Sequence, residues 1–311
     1  MKEHHKAGNY NNRRGSVVTI GTFDGVHIGH QKIIERLVNS AEENDLDAVI
    51  LTFFPHPRMV LQKDSGIKLI NTIQERKEIL SRCGIDHLII QPFTKEFSRM
   101  TAEEFVRDIL VSKLNVKKVI IGYDHRFGRN RTADIEDLRE FGKVYNFDVE
   151  EISKQDVEEI AVSSTKIRKA LSEGKIEKAN RFLRYPFSLT GKVVKGRGLG
   201  TGFNFPTANI EVAEDYKLIP KNGVYVVRSE IEGKRFFGMM NIGINPTVGG
   251  TQRSIEIHFF ELNRDLYGKI LTVEILTRIR DEIKFGTVED LKKAMVQDEA
   301  FSRDYIRNNQ V

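Results

Sequence analysis

From Ser16 to Tyr145 the chain alternates short apolar runs with segments of helical period, and no other feature restricts its fold as much. Ser16–Thr22 (SVVTIGT) is predicted to be a strand, followed across a glycine-containing turn by a helix from about His30 to Asn44. Ala48–Phe54 (AVILTFF) is apolar almost throughout, as a strand covered on both faces must be. Thr72 with Glu75, and Thr101 with Glu104, have capping-box spacing. They open one helix that stops at Gly84 and another that runs to about Leu114. His87–Ile90 and Lys118–Gly122 add two strands, and Asp134–Tyr145 a further helix. Strand and helix in strict alternation fold as βαβ units on a parallel sheet.

Beyond Ala179 the pattern changes. Strand-like segments follow at Leu189–Val194, Val224–Ile231, Arg235–Ile242, Ile255–Leu262 and Ile270–Leu276, separated by Gly-, Asn- and Asp-rich turns. Short strands punctuated in this way indicate a small barrel or sandwich. A last helix is predicted from Thr287 through Tyr305, with Val288, Leu291, Met295 and Phe301 on its apolar stripe. The expected organisation is a frayed basic tail over 1–15, an α/β domain over 16–183 and a mainly-β domain with a terminal helix over 184–311.

At 311 residues the chain is long enough for two cores. It contains no apolar run long enough to span a membrane, and its first 15 residues lack the apolar stretch of a secretory signal. With Cys83 as the only cysteine no intrachain disulfide can form, which fits a reducing cytoplasm. The net charge of +5 is spread thinly: residues 1–183 hold 30 Lys/Arg against 28 Asp/Glu, and the remainder 19 against 16. Neither part has the basic footprint of a nucleic-acid binder, whereas small phosphorylated ligands remain open.

Four stretches could carry chemistry. Gly21-Thr22-Phe23-Asp24-Gly25-Val26-His27-Ile28-Gly29-His30 lies where the first strand gives way to the first helix, the place where open α/β sheets bind ligands. Its glycines admit close approach, and the helix start with His27 and His30 could meet a phosphate; two surface histidines beside a turn would look the same. Ser163, Ser164 and Thr165 precede a helical pattern that includes Arg168, and such hydroxyls either cap a helix or bind phosphate. Gly196, Gly198, Gly200 and Gly202 alternate through a loop leading to Phe205-Pro206-Thr207-Ala208-Asn209. That loop is either a phosphate flap or a barrel turn, and the oxygens of Thr207 and Asn209 would suit Mg²⁺. Glu256 alternates with Ile255 and Ile257, which places it with His258 opposite the apolar face, as on any half-exposed strand.

These stretches, with TFFPHP (52–57), VSSTKIR (162–168), NFPTAN (204–209), NGVY (222–225), MNIGINPTVGG (240–250), IEIHFFELNRDLYG (255–268) and IRDEIKF (279–285), occur in one order. Together they resemble the bacterial bifunctional riboflavin kinase/FAD synthetases over nearly the whole chain beyond Val17. The resemblance implies a nucleotidyltransferase-like, Rossmann-type α/β domain that adenylylates FMN. It also implies a barrel domain that phosphorylates riboflavin with ATP and Mg²⁺. On the adenylylation side it implies ATP contacts at Gly21, Phe23, His27, Gly29, His30, Ser163, Ser164, Thr165 and Arg168, and flavin contacts at Pro55, His56, Asp124 and His125. On the kinase side it implies phosphate contacts at Gly196, Gly198 and Gly200, Mg²⁺ at Thr207 and Asn209, and Glu256 as the base for the riboflavin 5′-hydroxyl. The chain departs from the family pattern at Thr201 (commonly Arg), Asn204 (commonly Gly) and His125 (usually Phe).

The expected partners are therefore riboflavin, FMN, FAD and ATP, with no nucleic acid and no membrane, in a monomer or weak homo-oligomer. A single-activity nucleotidyltransferase with a barrel that only binds ligand is the rival reading, and intact Thr207, Asn209 and Glu256 speak against it.

Overall fold

The computed structural model describes residues 1–11, 14–62, 66–123, 125–152, 162–195, 205–247 and 250–309. The positions Asp124, Gly196, Gly198, Gly200, Thr201 and Asn204 lie outside them. By contact the chain divides into two compact units, Met1–Ser164 and Thr165–Val311.

The first unit is built on six strands: β1 (Lys2–His4), β2 (Ser16–Ile20), β3 (Asp47–Phe54), β4 (His87–Pro92), β5 (Val116–Gly122) and β6 (Asp148–Ile152). They lie in the order β1-β4-β3-β2-β5-β6, and every pairing is parallel. β2 to β5 are buried on both faces because their apolar residues feed two cores. Val18, Val49, Leu51 and Val119 pack into one, and Val17, Ala48, Ile50 and Ile120 into the other. Helices α1 (Ile28–Glu43) and α3 (Ile73–Ser81) supply Ile34, Leu37 and Leu80 to the second core. Between them α2 (Pro57–Leu61) is a short turn of helix. The capping boxes form as predicted: Glu75 N–H reaches Thr72 Oγ1 at 3.1 Å, and Glu104 N–H reaches Thr101 Oγ1 at 3.2 Å. The second of these opens α4 (Ala102–Glu104), which continues as a wider π-helical turn over Phe105–Val111 instead of the uniform helix to Leu114. α5 (Ile135–Tyr145) follows.

The amino-terminal residues do not fray. Lys2–His4 forms an edge strand beside β4, with Ala7 and Tyr10 buried in the core. Tyr10 donates its hydroxyl to Asp47 at 3.1 Å, and the His4 and His87 rings meet at 3.0 Å. Buried contacts and ladder bonds outweigh a polar composition that suggested a tail.

α6 (Ser164–Ser172) begins on the last residue of the first unit, and in the second unit its remainder and α7 (Ile176–Leu183) precede a closed antiparallel barrel. Its strands are β7 (Phe187–Val194), β8 (Ala208–Glu211), β9 (Gly223–Ile231), β10 (Lys234–Thr247), β11 (Gly250–Phe259) and β12 (Ile270–Arg280), arranged β10-β11-β8-β7-β12-β9. Tyr225, Met240, Ile242, Ile257, Val273 and Ile275 are fully buried within it. Helix α8 (Val288–Asn309) closes the chain. Its predicted stripe is only partly correct, because Val288 and Phe301 stay exposed. Met295 and Ile306 pack against Phe205, Met239 and Phe260, and Asp298 is buried as the partner of Arg280, whose Nη2 lies 2.7 Å away. The packed face of α8 thus carries the Asp298–Arg280 ion pair beside Met295 and Ile306.

Candidate functional sites

The chain leaves β2 for β3 and β4 on one side, then returns to β5 and β6 on the other. Such a reversal opens a crevice at the carboxyl ends of the central strands. Residues 21–27 occupy that position. Phe23, Gly25 and Val26 all have positive φ (48°, 87° and 35°), a costly conformation for phenylalanine and for β-branched valine. The loop is held from several directions. Asp24, fully buried, accepts the backbone N–H of Ile70 at 2.9 Å and of Asn71 at 3.3 Å. Ser164 Oγ donates to Asp24 O at 2.8 Å, and Gln31 Nε2 to Val26 O at 2.8 Å.

The loop delivers His27 as the amino-terminal cap residue of α1, where its side chain makes no capping hydrogen bond. The first N–H groups of a helix have no intrahelical acceptor, and here they sit beside two imidazoles. His27 and His30 stack with ring centroids 3.7 Å apart and planes 17° apart. Phe23, only 2% exposed, lies 5.1 Å from His30, so its side chain acts as a floor and its backbone borders the crevice. Gly21 passes over the Phe23 ring, and Gly29 over the His27 ring, so close that a Cβ would lie 3.1 Å and 3.4 Å from them. Burial first, then His27 and Arg76, hold the His30 imidazole well below its usual range. An anion in the crevice would work against this shift by favouring the protonated His30 ring.

Arg76 was not legible as a site residue. It is fully buried on α3, three residues after Ile73 and four before Leu80, where the helical period calls for an apolar side chain. That charge in an apolar register was the available signal. The structure brings Ser164 to the Asp24 turn; Thr165 and Arg168 follow on α6, Thr165 exposed and Arg168 half-buried. Among the expected flavin residues, Pro55 is exposed after a cis peptide, and His56 is buried. His56 Nδ1 accepts the Arg58 N–H at 3.1 Å as the cap of α2. His125 lies face-on to the core residue Phe127, with centroids 6.2 Å apart.

On the barrel, strand register brings together residues of a second candidate site. Glu256 on β11 is paired with Asn209 on β8 and with Asn241 on β10. Directly paired residues share a sheet face, so the three side chains form one row. The neighbouring rows, Ile255 with Ile242 and Ile257 with Met240, point into the core. Thr207, half-buried, immediately precedes β8. Asn241 escaped the sequence reading, since nothing in MNIGINP marks it apart from its neighbours. The strand is fixed nearby: Glu282 accepts Ile244 N–H and Asn222 Nδ2, each at 3.0 Å. Gly243 makes that approach possible, because a Cβ there would lie 2.4 Å from Glu282 Oε1. Among the described residues no group of three or more His, Cys, Asp or Glu side chains could hold a metal.

Comparison with known proteins follows the same division. A family model for FAD synthetase matches residues 9–166, and one for riboflavin kinase matches residues 183–306. A bifunctional riboflavin kinase/FMN adenylyltransferase of Buchnera aphidicola is 39% identical, the match covering 93% of this chain and 94% of that protein. One from Listeria monocytogenes is 36% identical over 93% and 92%. A solved Streptococcus pneumoniae structure bearing the name of a macrolide-efflux protein shares the fold at a TM-score of 0.87. It is 30% identical, with 97% of this chain and 98% of that one covered. Among the described residues of this chain no helix is long and apolar enough to cross a membrane.

Proposed function

The chain belongs to the bifunctional riboflavin kinase/FMN adenylyltransferase family, and from that premise we propose that it makes FMN in its barrel unit and FAD in its α/β unit. The observation that carries this reading is the match of two separate family models, in that order along one chain. The two site geometries support it.

In the barrel, ATP transfers its γ-phosphoryl group to the riboflavin 5′-oxygen. The hydroxyl is neutral and must lose a proton, and the Glu256 carboxylate accepts it. ADP departs. Thr207 and Asn209 would hold Mg²⁺ together with the ATP phosphates, in keeping with their neutral oxygens beside Glu256. When bound, that ion offsets the charge of the transferring phosphoryl group. The glycine loop at Gly196, Gly198 and Gly200 wraps the phosphates in this reading.

In the α/β unit, an FMN phosphate oxygen attacks the α-phosphorus of ATP and pyrophosphate leaves. The nucleophile is already an anion, so the site needs alignment and charge stabilisation more than a base. The amino terminus of α1, His27, His30, Ser163 and Ser164 would supply donors to the phosphates. Arg76 keeps the surrounding field positive. Pro55, His56, Asp124 and His125 would border the flavin.

We take the kinase domain to begin near Arg184, the protein to work in the cytoplasm, and its solution state to be a monomer or weak homo-oligomer. Purified protein given riboflavin, ATP and Mg²⁺ should yield FMN and then FAD with pyrophosphate. FAD formed from supplied FMN, with riboflavin left untouched, would reduce the barrel to a binding module.

A further inference from the structure

His258 stands two residues beyond Glu256 on the same face of β11. The register that sets Asn209 against Glu256 and Ala208 against Ile257 brings Thr207 level with His258. The His258 Nδ1 atom lies 2.9 Å from the carbonyl oxygen of Pro206. A carbonyl can only accept, so Nδ1 carries the proton and donates it. Two aromatic rings fix the imidazole: Phe205 edge-on at 5.0 Å and 69°, and Phe260 at 5.8 Å and 67°. Both phenylalanines are buried in the cluster that Met295 and Ile306 cover, so the clamp is anchored to the barrel wall.

Pro206 is exposed and lies outside β8, and as a proline it has no N–H to give a ladder. Its carbonyl is the group through which the entering strand can be tied down just before Thr207. We propose that His258 is a positioning residue for the kinase reaction. By holding the Pro206 carbonyl it sets the Thr207 and Asn209 oxygens in line with Glu256, without itself touching the reacting atoms. The inference rests on the kinase reading of Thr207, Asn209 and Glu256.

The test uses the full chain. His258→Leu keeps bulk and removes the donor; His258→Asn puts an amide N–H close to where Nδ1 stood. One hydrogen bond is worth roughly 2- to 12-fold in an equilibrium constant, and misplacement of reacting groups costs up to about 10²-fold in rate. His258→Leu should therefore raise the half-saturating Mg²⁺ concentration and the KM for Mg-ATP within that span, and His258→Asn should restore both. FMN adenylylation on the same preparations should be unchanged. A purely structural role would lower the unfolding midpoint and leave Mg²⁺ saturation alone, and that result overturns the proposal. So does His258→Asn being as defective as His258→Leu.

A measurement on the wild type applies even where the Leu variant does not fold. ¹⁵N NMR of the imidazole in the absence of ATP and Mg²⁺ should show the Nδ1–H tautomer; the Nε2–H tautomer would overturn the clamp. Wild-type protein that shows the Nδ1–H tautomer but does not phosphorylate riboflavin would instead contradict the kinase reading.

Discussion

Replacing Asp24 with alanine should loosen the α/β unit where the loop over residues 21–27 is moored. The side chain is fully buried, and its carboxylate receives the amides of Ile70 and Asn71, which are 0% and 1% exposed. A buried donor deprived of its acceptor costs roughly 1–3 kcal/mol, so two cost about 2–6 kcal/mol if the pocket does not relax. Even the lower bound corresponds to about 30-fold faster amide exchange wherever that opening governs it. Exchange at Ile70 and Asn71 should rise by at least that much in Asp24→Ala. Asp24→Asn should do less harm, because Oδ1 alone lies 2.9 and 3.3 Å from the two amides and an amide oxygen can stand there. The same loop carries His27 and His30, so FMN adenylylation should fall with the loss of mooring, while riboflavin phosphorylation stays close to wild type. Unchanged exchange at Ile70 and Asn71 in Asp24→Ala would refute the mooring, and equal loss of both activities would refute its confinement to one site.

His30→Ala should lower FMN adenylylation by roughly 10²–10³-fold and spare riboflavin phosphorylation, as separate assays of the two half-reactions will tell. Because the folded His30 imidazole is held well below its usual range, the unfolded chain binds that proton more readily. This contribution is complete above the unfolded value of about 6.5 and is lost as pH falls below it. The urea midpoint should therefore drop more between pH 7 and 5 in the wild type than in His30→Gln, and equal drops would count against it. A fragment spanning 165–311 should phosphorylate riboflavin without making FAD, and one spanning 184–311 should have a lower urea midpoint. The shorter fragment loses the fully buried Ile176 and Leu183, worth about 1.5–3 kcal/mol each, and Asn180, which bridges Ile275 O at 2.9 Å and Phe187 N–H at 2.8 Å. Matching midpoints would mean that α7 contributes nothing to the barrel.

The central strands were readable because burial on both faces leaves a continuous apolar run, as in Ala48–Phe54. The capping boxes at Thr72 and Thr101 were readable because their chemistry is local. β6 escaped because it is an edge strand of sequence DVEEI. Its Glu150 is paired by Lys118 at 2.6 Å and its Glu151 by Arg139 at 3.0 Å, so nothing in its hydropathy marks a strand. β8 escaped because Pro206 and Asn209 look like loop residues, yet it is hydrogen-bonded on both sides, to β7 and to β11. Of the candidate site, the spacing of the glycines, the two histidines and Glu256 left bland readings open, and it was the resemblance to a family that singled them out. Asn241 depends on the exact register of a hairpin, the His258 clamp on a partner 52 residues away, and Asp24 on a partner 46 residues away. No local pattern encodes such pairings.

If the two chemistries occupy two separate sites, Glu256→Gln separates them on a single preparation. The substitution keeps size and place in the row with Asn209 and Asn241 but removes the carboxylate proposed to accept the riboflavin proton. Riboflavin phosphorylation should fall by roughly 10²–10⁴-fold, while FMN adenylylation stays at the wild-type rate. Wild-type phosphorylation in this variant would contradict Glu256 as the base, and a parallel fall in both half-reactions with the protein folded would contradict separate sites.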